Sequence, residues 1–218
     1  MKKKITFFWV VIILSLLNSA SCLLAGTAVI MDSTHHNGAL TATSTGFWSS
    51  TANANPSGWT LVTPDFYTTA VGWVQAGSTA QAVNNTGEIV QAGRIFTVST
   101  DLGGGNGTDA TVCVYATQNS DGTGTKVELA SVHRVGQATD GYNLFNVVGS
   151  PGSPAPASTA GYYVQVSIGG PYVDHYISGY YDNIVVTTDY NGVDPAFNGI
   201  DFWANDRVHL PDYNASSN

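Results

Sequence analysis

The sequence predicts an all-β chain folded as two packed antiparallel sheets behind a cleaved signal peptide. Three observations carry this reading. No segment after residue 25 sustains a 3.6-residue apolar period. Short runs rich in Val, Ile, Thr and Tyr recur instead, punctuated by Gly, Asn, Asp and Pro, and this spacing belongs to a sandwich or barrel. Several runs also alternate strictly, so that each has one apolar face and one polar or aromatic face.

The export signal occupies residues 1–25. Lys2, Lys3 and Lys4 form a positive start, an apolar run extends from Ile5 to Leu17, and the small residues Ser19-Ala20-Ser21 follow. The run is short of the ~20 apolar residues that span a bilayer and sits where a cleavable signal belongs. Ser19-Ala20-Ser21-Cys22 also resembles the lipobox of bacterial lipoproteins, with Ser19 in place of the usual Leu. Two outcomes therefore stay open: plain cleavage between Ala20 and Ala25, giving a secreted domain, or acylation of Cys22, which tethers the domain to a membrane at the cell surface.

Strands are expected over Thr27–Met31, Leu40–Thr45, Trp59–Thr63, Val71–Gln75, Gln81–Asn84, Arg94–Asp101, Ala110–Ala116, Lys126–Val135, Tyr142–Val148, Tyr162–Ile168 and Tyr181–Thr188. Alternation assigns Val112, Val114 and Ala116 to one face, and Thr111, Cys113 and Tyr115 to the other. It likewise separates Tyr162, Val164, Val166 and Ile168 from Tyr163, Gln165 and Ser167. Leu102–Gly107 and Asn119–Gly124 read as turn clusters, and the segment Ser150–Pro156 as a Pro-rich rim. The sandwich domain is bounded at 26–188. Residues 189–218 lose the alternation yet hold Phe197, Phe202, Trp203 and Tyr213, which reads as an aromatic and polar tail wrapping the sandwich or as the start of a tether.

Charge narrows the partners. The whole chain carries −8, and without residues 1–25 four basic residues face fifteen acidic ones, leaving −11. Nucleic acid is excluded as a partner, because that affinity rests on Lys and Arg at phosphates. Anionic lipid is excluded on the same ground. With Cys22 removed or acylated, Cys113 has no cysteine to pair with, so no disulfide frames the domain. Roughly 190 mature residues suffice for a single core without one.

Catalytic constellations are absent from the pattern. A glycosidase needs two opposed carboxyl groups; here the only glutamates are Glu88 and Glu128, and most of the thirteen aspartates stand in turn contexts. The histidines, His35, His36, His133, His175 and His209, have no metal-ligand spacing. Aromatic and amide residues are better candidates, since sugar rings stack on aromatic planes while amides fix their hydroxyls. Trp73, Tyr115, Tyr163 and Gln165 fall on strand faces, and Tyr172 and Tyr176 in a loop rim. Equally, such tyrosines cover strand surface by β-propensity alone.

The order of motifs resembles a known family. Gly58-Trp59-Thr60 is followed by Gln81, then by Ala92-Gly93-Arg94-Ile95-Phe96-Thr97-Val98, then by Tyr163-Val164-Gln165-Val166, and last by Asp182-Asn183-Ile184-Val185-Val186. This is similar to the galactose-binding-domain-like jelly roll, as in carbohydrate-binding modules of xylanases and glucanases, over about residues 30–188. The resemblance implies a non-catalytic carbohydrate-binding module that takes a polysaccharide or glycoconjugate. The alternative for the same fold is a structural or adhesive cell-surface protein binding protein or matrix partners. It also implies one structural calcium ion, held by Asp182 with Asn37 and Asp32, although Thr41 stands where the family has a glutamate.

Overall fold

The computed structural model describes residues 27–41, 46–48, 56–63, 65–68, 74–76, 80–105, 107–141, 143–169 and 179–189. These form β1 (Thr27–Met31), β2 (Gly46–Trp48), β3 (Trp59–Thr63), β4 (Phe66–Thr68), β5 (Val74–Ala76), β6 (Gln81–Ile89), β7 (Ile95–Gly104), β8 (Asp109–Thr117), β9 (Lys126–Val135), β10 (Phe145–Val148), β11 (Tyr163–Gly169) and β12 (Gly179–Asp189). One 3-10 turn, Ala157–Thr159, is the only helical element among the described residues.

The strands make two antiparallel sheets. One runs β10-β7-β12-β5-β4-β2, with β1 also on β12; the other runs β3-β6-β11-β8-β9. The pairing is nested: β5 with β12, β6 with β11, β7 with β10, and β8 with β9. A long hairpin whose tip is the β8–β9 turn has thus rolled up so that successive strands on each of its arms, β5 to β8 and β9 to β12, fall alternately into the two sheets. That is a jelly roll, and it satisfies the expected fold class; β1 to β4 extend its edges.

Alternation sets the core as expected. Val112, Val114 and Ala116 of β8 and Val164, Val166 and Ile168 of β11 face Phe96, Val98 and Leu102 of β7 and Ile184 and Val186 of β12, all buried. Tyr181 crosses between the sheets, its hydroxyl accepting the Thr111 amide at 3.3 Å, so the largest fully buried side chain has its polar end satisfied.

Four local expectations are corrected. The strand expected to stop at Asn84 runs on to Ile89. Its Asn-Thr-Gly segment enters a bulge in the ladder to β11, where Gly87 adopts φ +79°. Gly103 and Gly104 belong to β7 rather than to a turn. There a side chain at Gly103 would overlap the Asn143 carbonyl. The Pro-rich segment is no loose rim: the amides of Gly149, Gly152 and Ala155 donate to the carbonyls of Val98, Phe96 and Arg94, lacing it along β7. Phe66–Thr68 forms a short strand with no alternation long enough to announce it.

Ile168, fully buried on a central strand, tests this packing. Ile168→Ala is expected to cost about 2–5 kcal/mol, read as a lower urea midpoint with an unchanged m-value.

Candidate ligand-binding face

The face of the five-stranded sheet turned away from the core is built by register. Asn85 of β6 lies opposite Gln165 of β11, Gln165 opposite Tyr115 of β8, and Tyr115 opposite Glu128 of β9. The next row places Val83, Ser167, Cys113 and Ser131 in line. An amide pair, a phenol and a carboxylate therefore cross one sheet face side by side. Of the sequence candidates, Tyr115, Tyr163 and Gln165 share this face. Trp73, Tyr172 and Tyr176 lie outside the described residues.

Burial differs along the row. Tyr115 and Tyr163 are half-buried, but Gln165 is only 3% exposed, so the central strand is buried on both faces. Gln165 Nε2 donates to Asn85 Oδ1 at 2.7 Å, while Gln165 Oε1 has no hydrogen-bond partner. The Gln81 amide reaches Ser167 Oγ at 3.3 Å. At the far edge Ser131 Oγ donates to Glu128 Oε1 at 2.8 Å, and His133 Nδ1 sits 2.9 Å from Asp109 Oδ1.

Electrostatics keep the middle of this face neutral. Burial raises the Tyr115 phenol above its ordinary range, assisted by its hydrogen bond with Cys113. Burial likewise raises the Cys113 thiol, so it is protonated at neutral pH and a poor nucleophile. The Lys126 ammonium stands 4.2 Å from the centre of the Tyr115 ring, a cation–π contact that occupies one ring face. Sequence reasoning overlooked Asn85 and Glu128. Asn85 was hidden in an apparent turn, and a ladder irregularity at Val114/Tyr115 interrupts alternation just beyond Glu128.

The three residues that the resemblance implies for calcium each have hydrogen-bond or charged neighbours. Asp32 Oδ1 accepts the Thr34 amide, the Thr34 hydroxyl and the His35 amide at 2.7–2.8 Å. These bonds, the Thr34 hydroxyl first, hold its carboxyl far below the ordinary range. Asn37 clamps Thr41, accepting its amide at 3.0 Å and donating to its carbonyl at 3.1 Å. The carbonyls of His36, Asn37 and Gly38 accept Asn84 Nδ2, Trp59 Nε1 and the Ile184 amide at 2.7, 3.1 and 2.8 Å. Asp182 turns toward Asp101, which is itself held by the Asn146 and Asn183 amides at 3.0 and 2.8 Å. Among the described residues no group of three His, Cys, Asp or Glu side chains could hold a metal.

No family model matches the chain, and no curated protein matches it. Among solved structures it is similar to the CBM22-1–GH10 modules of Clostridium thermocellum endo-1,4-β-D-xylanase 10B complexed with xylohexaose. Identity there is 12% over 59% of this chain and 26% of that one, with a TM-score of 0.38. It is also similar to the CBM22-2 xylan-binding domain from Paenibacillus barcinonensis Xyn10C, at 11% identity over 61% and 92% of the two chains, TM-score 0.42. A third likeness is to an apo cyclase from Fischerella sp., at 10% identity over 74% and 96%, TM-score 0.47. The chain spans about a quarter of the xylanase structure and nearly all of the other two.

Asp182 gives a test of the metal question. Burial, with the Asp101 charge adding to it, raises its folded pKa above the ordinary 3.8. The native state therefore holds this charge at a cost near neutral pH, and the cost fades as pH falls through the raised pKa toward 3.8. Asp182→Asn is expected to raise Tm at neutral pH, with the gain shrinking on acidification and unchanged by excess calcium or EDTA. A calcium-dependent loss of Tm in this variant would restore the cation site.

Proposed function

We propose that this chain is an exported, non-catalytic carbohydrate-binding module whose ligand is a polysaccharide or glycoconjugate. The observation that carries the reading is the row Asn85, Gln165, Tyr115 and Glu128 across one sheet face. It combines an aromatic plane with amide and carboxylate groups, the chemistry that a sugar ring and its hydroxyls need. The free acceptor on Gln165 suits a hydroxyl donor, and the neutral phenol suits an uncharged ligand. The neighbours of Glu128 in its row are a tyrosine and two amides, so the opposed second carboxylate of a glycosidase is missing from that row. Export rests on the residue 1–25 signal, and a surface tether on acylation of Cys22.

A glycan array followed by titration with soluble xylan and mixed-linkage β-glucan tests the reading. The mature protein is expected to bind at least one polysaccharide, and Tyr115→Ala to weaken it at least about tenfold, ~1.4 kcal/mol, while the variant keeps the wild-type β circular dichroism and a cooperative melt. Absence of glycan binding together with self-association or matrix adhesion would favour the adhesive alternative. Polysaccharide turnover abolished by Glu128→Gln would make the chain an enzyme.

A further inference from the structure

We propose that the β8–β9 turn is a cover over the Gln165 amide, gated at Gly122. The proposal rests on reading this sheet face as the binding surface. Its starting point is a contradiction in Gln165: the side chain is 3% exposed, yet its Oε1 accepts no hydrogen bond. Buried acceptors are normally satisfied, and one left unpaired opposes the state that buries it.

What lies over Gln165 is Gly122. A side chain there would overlap Gln165 Nε2 and come within 2.7 Å of Asn85 Oδ1. Gly122 also adopts φ +83°, so both its backbone and its surroundings call for glycine. The turn touches the amide pair by close approach alone, since the hydrogen bonds of its described residues close on the turn and its stem. Gly122 N donates to the Asn119 carbonyl at 3.0 Å, and Asn119 Nδ2 to Thr123 Oγ1 at 2.9 Å. Thr123 donates through its amide and hydroxyl to Asp121 Oδ1 at 3.0 and 2.6 Å. At the stem, Gln118 N donates to the Thr125 carbonyl at 2.9 Å, and Thr125 N to Gln118 Oε1 at 3.2 Å. The turn keeps its own shape and can swing about its stem as a unit. Opening it uncovers Gln165 Oε1, the acceptor of this row that lacks a partner, for a sugar hydroxyl to satisfy. The closed form then lowers apparent affinity by the fraction of molecules that are open, and Gly122 decides which ligands reach Gln165.

Gly122→Asn tests this in the full mature chain. Asparagine tolerates a left-handed backbone, but its side chain cannot fit over Gln165. Two readouts are expected: the Gln165 side-chain NH2 exchanges with water at least about tenfold faster, while the Val166 backbone amide is unchanged, and Kd for soluble xylan or mixed-linkage β-glucan falls at least about fivefold. Asp121→Ala, which loosens the turn without adding bulk, is expected to move both in the same direction. Unchanged Gln165 exchange in both variants overturns the gate. So does equal affinity in both variants when the wild type binds, and the binding reading then stands. If the wild type binds no glycan on the array, the sugar reading falls, and the exchange measurement alone decides the gate.

Discussion

Every ladder of the rolled hairpin leads to two strands late in the sandwich. β12 carries β7 on one side, and β11 separates β6 from β8. The other side of β12 is shared: residues 179–181 pair with β5, and residues 186–189 with β1. One strand cannot serve two partners along the same edge without a break between them. The break is the bulge between Asp182 and Val185, where Asn183 takes φ +49° and Asn tolerates that conformation better than most residues. The Ile184 amide left between the two ladders is taken by the Gly38 carbonyl.

That single hydrogen bond explains the loop after β1. To bring Gly38 against Ile184, the loop puts His36 and Asn37 at φ +55° and +54°. It leaves so little room that a side chain at Gly38 would overlap the Ile184 carbonyl. The strain is offset by Asp32 capping the turn and by the clamps from Asn84 and Trp59. Asn37-Gly38 and Asp182-Asn183, where the family resemblance implies a cation, also make this strand handover. The cost of such late, long-range pairing is kinetic. β1 meets its partner from the far end of the domain, from Thr27↔Asp189 to Met31↔Val186, and contacts of that separation close slowly because chain entropy is lost before they are rewarded.

Much of this was legible in residue order. Strict alternation placed Val112, Val114, Val164 and Val166 inward before any coordinates, because a period of two admits only one buried face. The same rule put Tyr115, Tyr163 and Gln165 together on the opposite face. It was blind to burial on that side, which depends on a turn from another part of the chain lying over β11. Gly122 reads in sequence as an ordinary turn glycine, and only its approach to Gln165 distinguishes it. Asn84 and Asn85 were illegible for a related reason. Asn-Asn-Thr-Gly signals a turn locally, yet Asn84 is buried as the donor to His36, and half-buried Asn85 is the partner of Gln165.

The character of the face follows from those burials. A sheet surface meant only for water would be content with threonine and lysine, whose polar ends solvent can satisfy. This one places an amide pair at its centre and excludes water from one of its acceptors. Burial keeps the neighbouring phenol and thiol uncharged. Charge is displaced to the edge of the sheet, with Lys126 over one side of the Tyr115 ring and Glu128 held by Ser131. In the proposed binding role, a surface arranged this way discriminates by directed hydrogen bonds rather than by net charge, which on a chain of −8 favours ligands rich in hydroxyls over ionic ones.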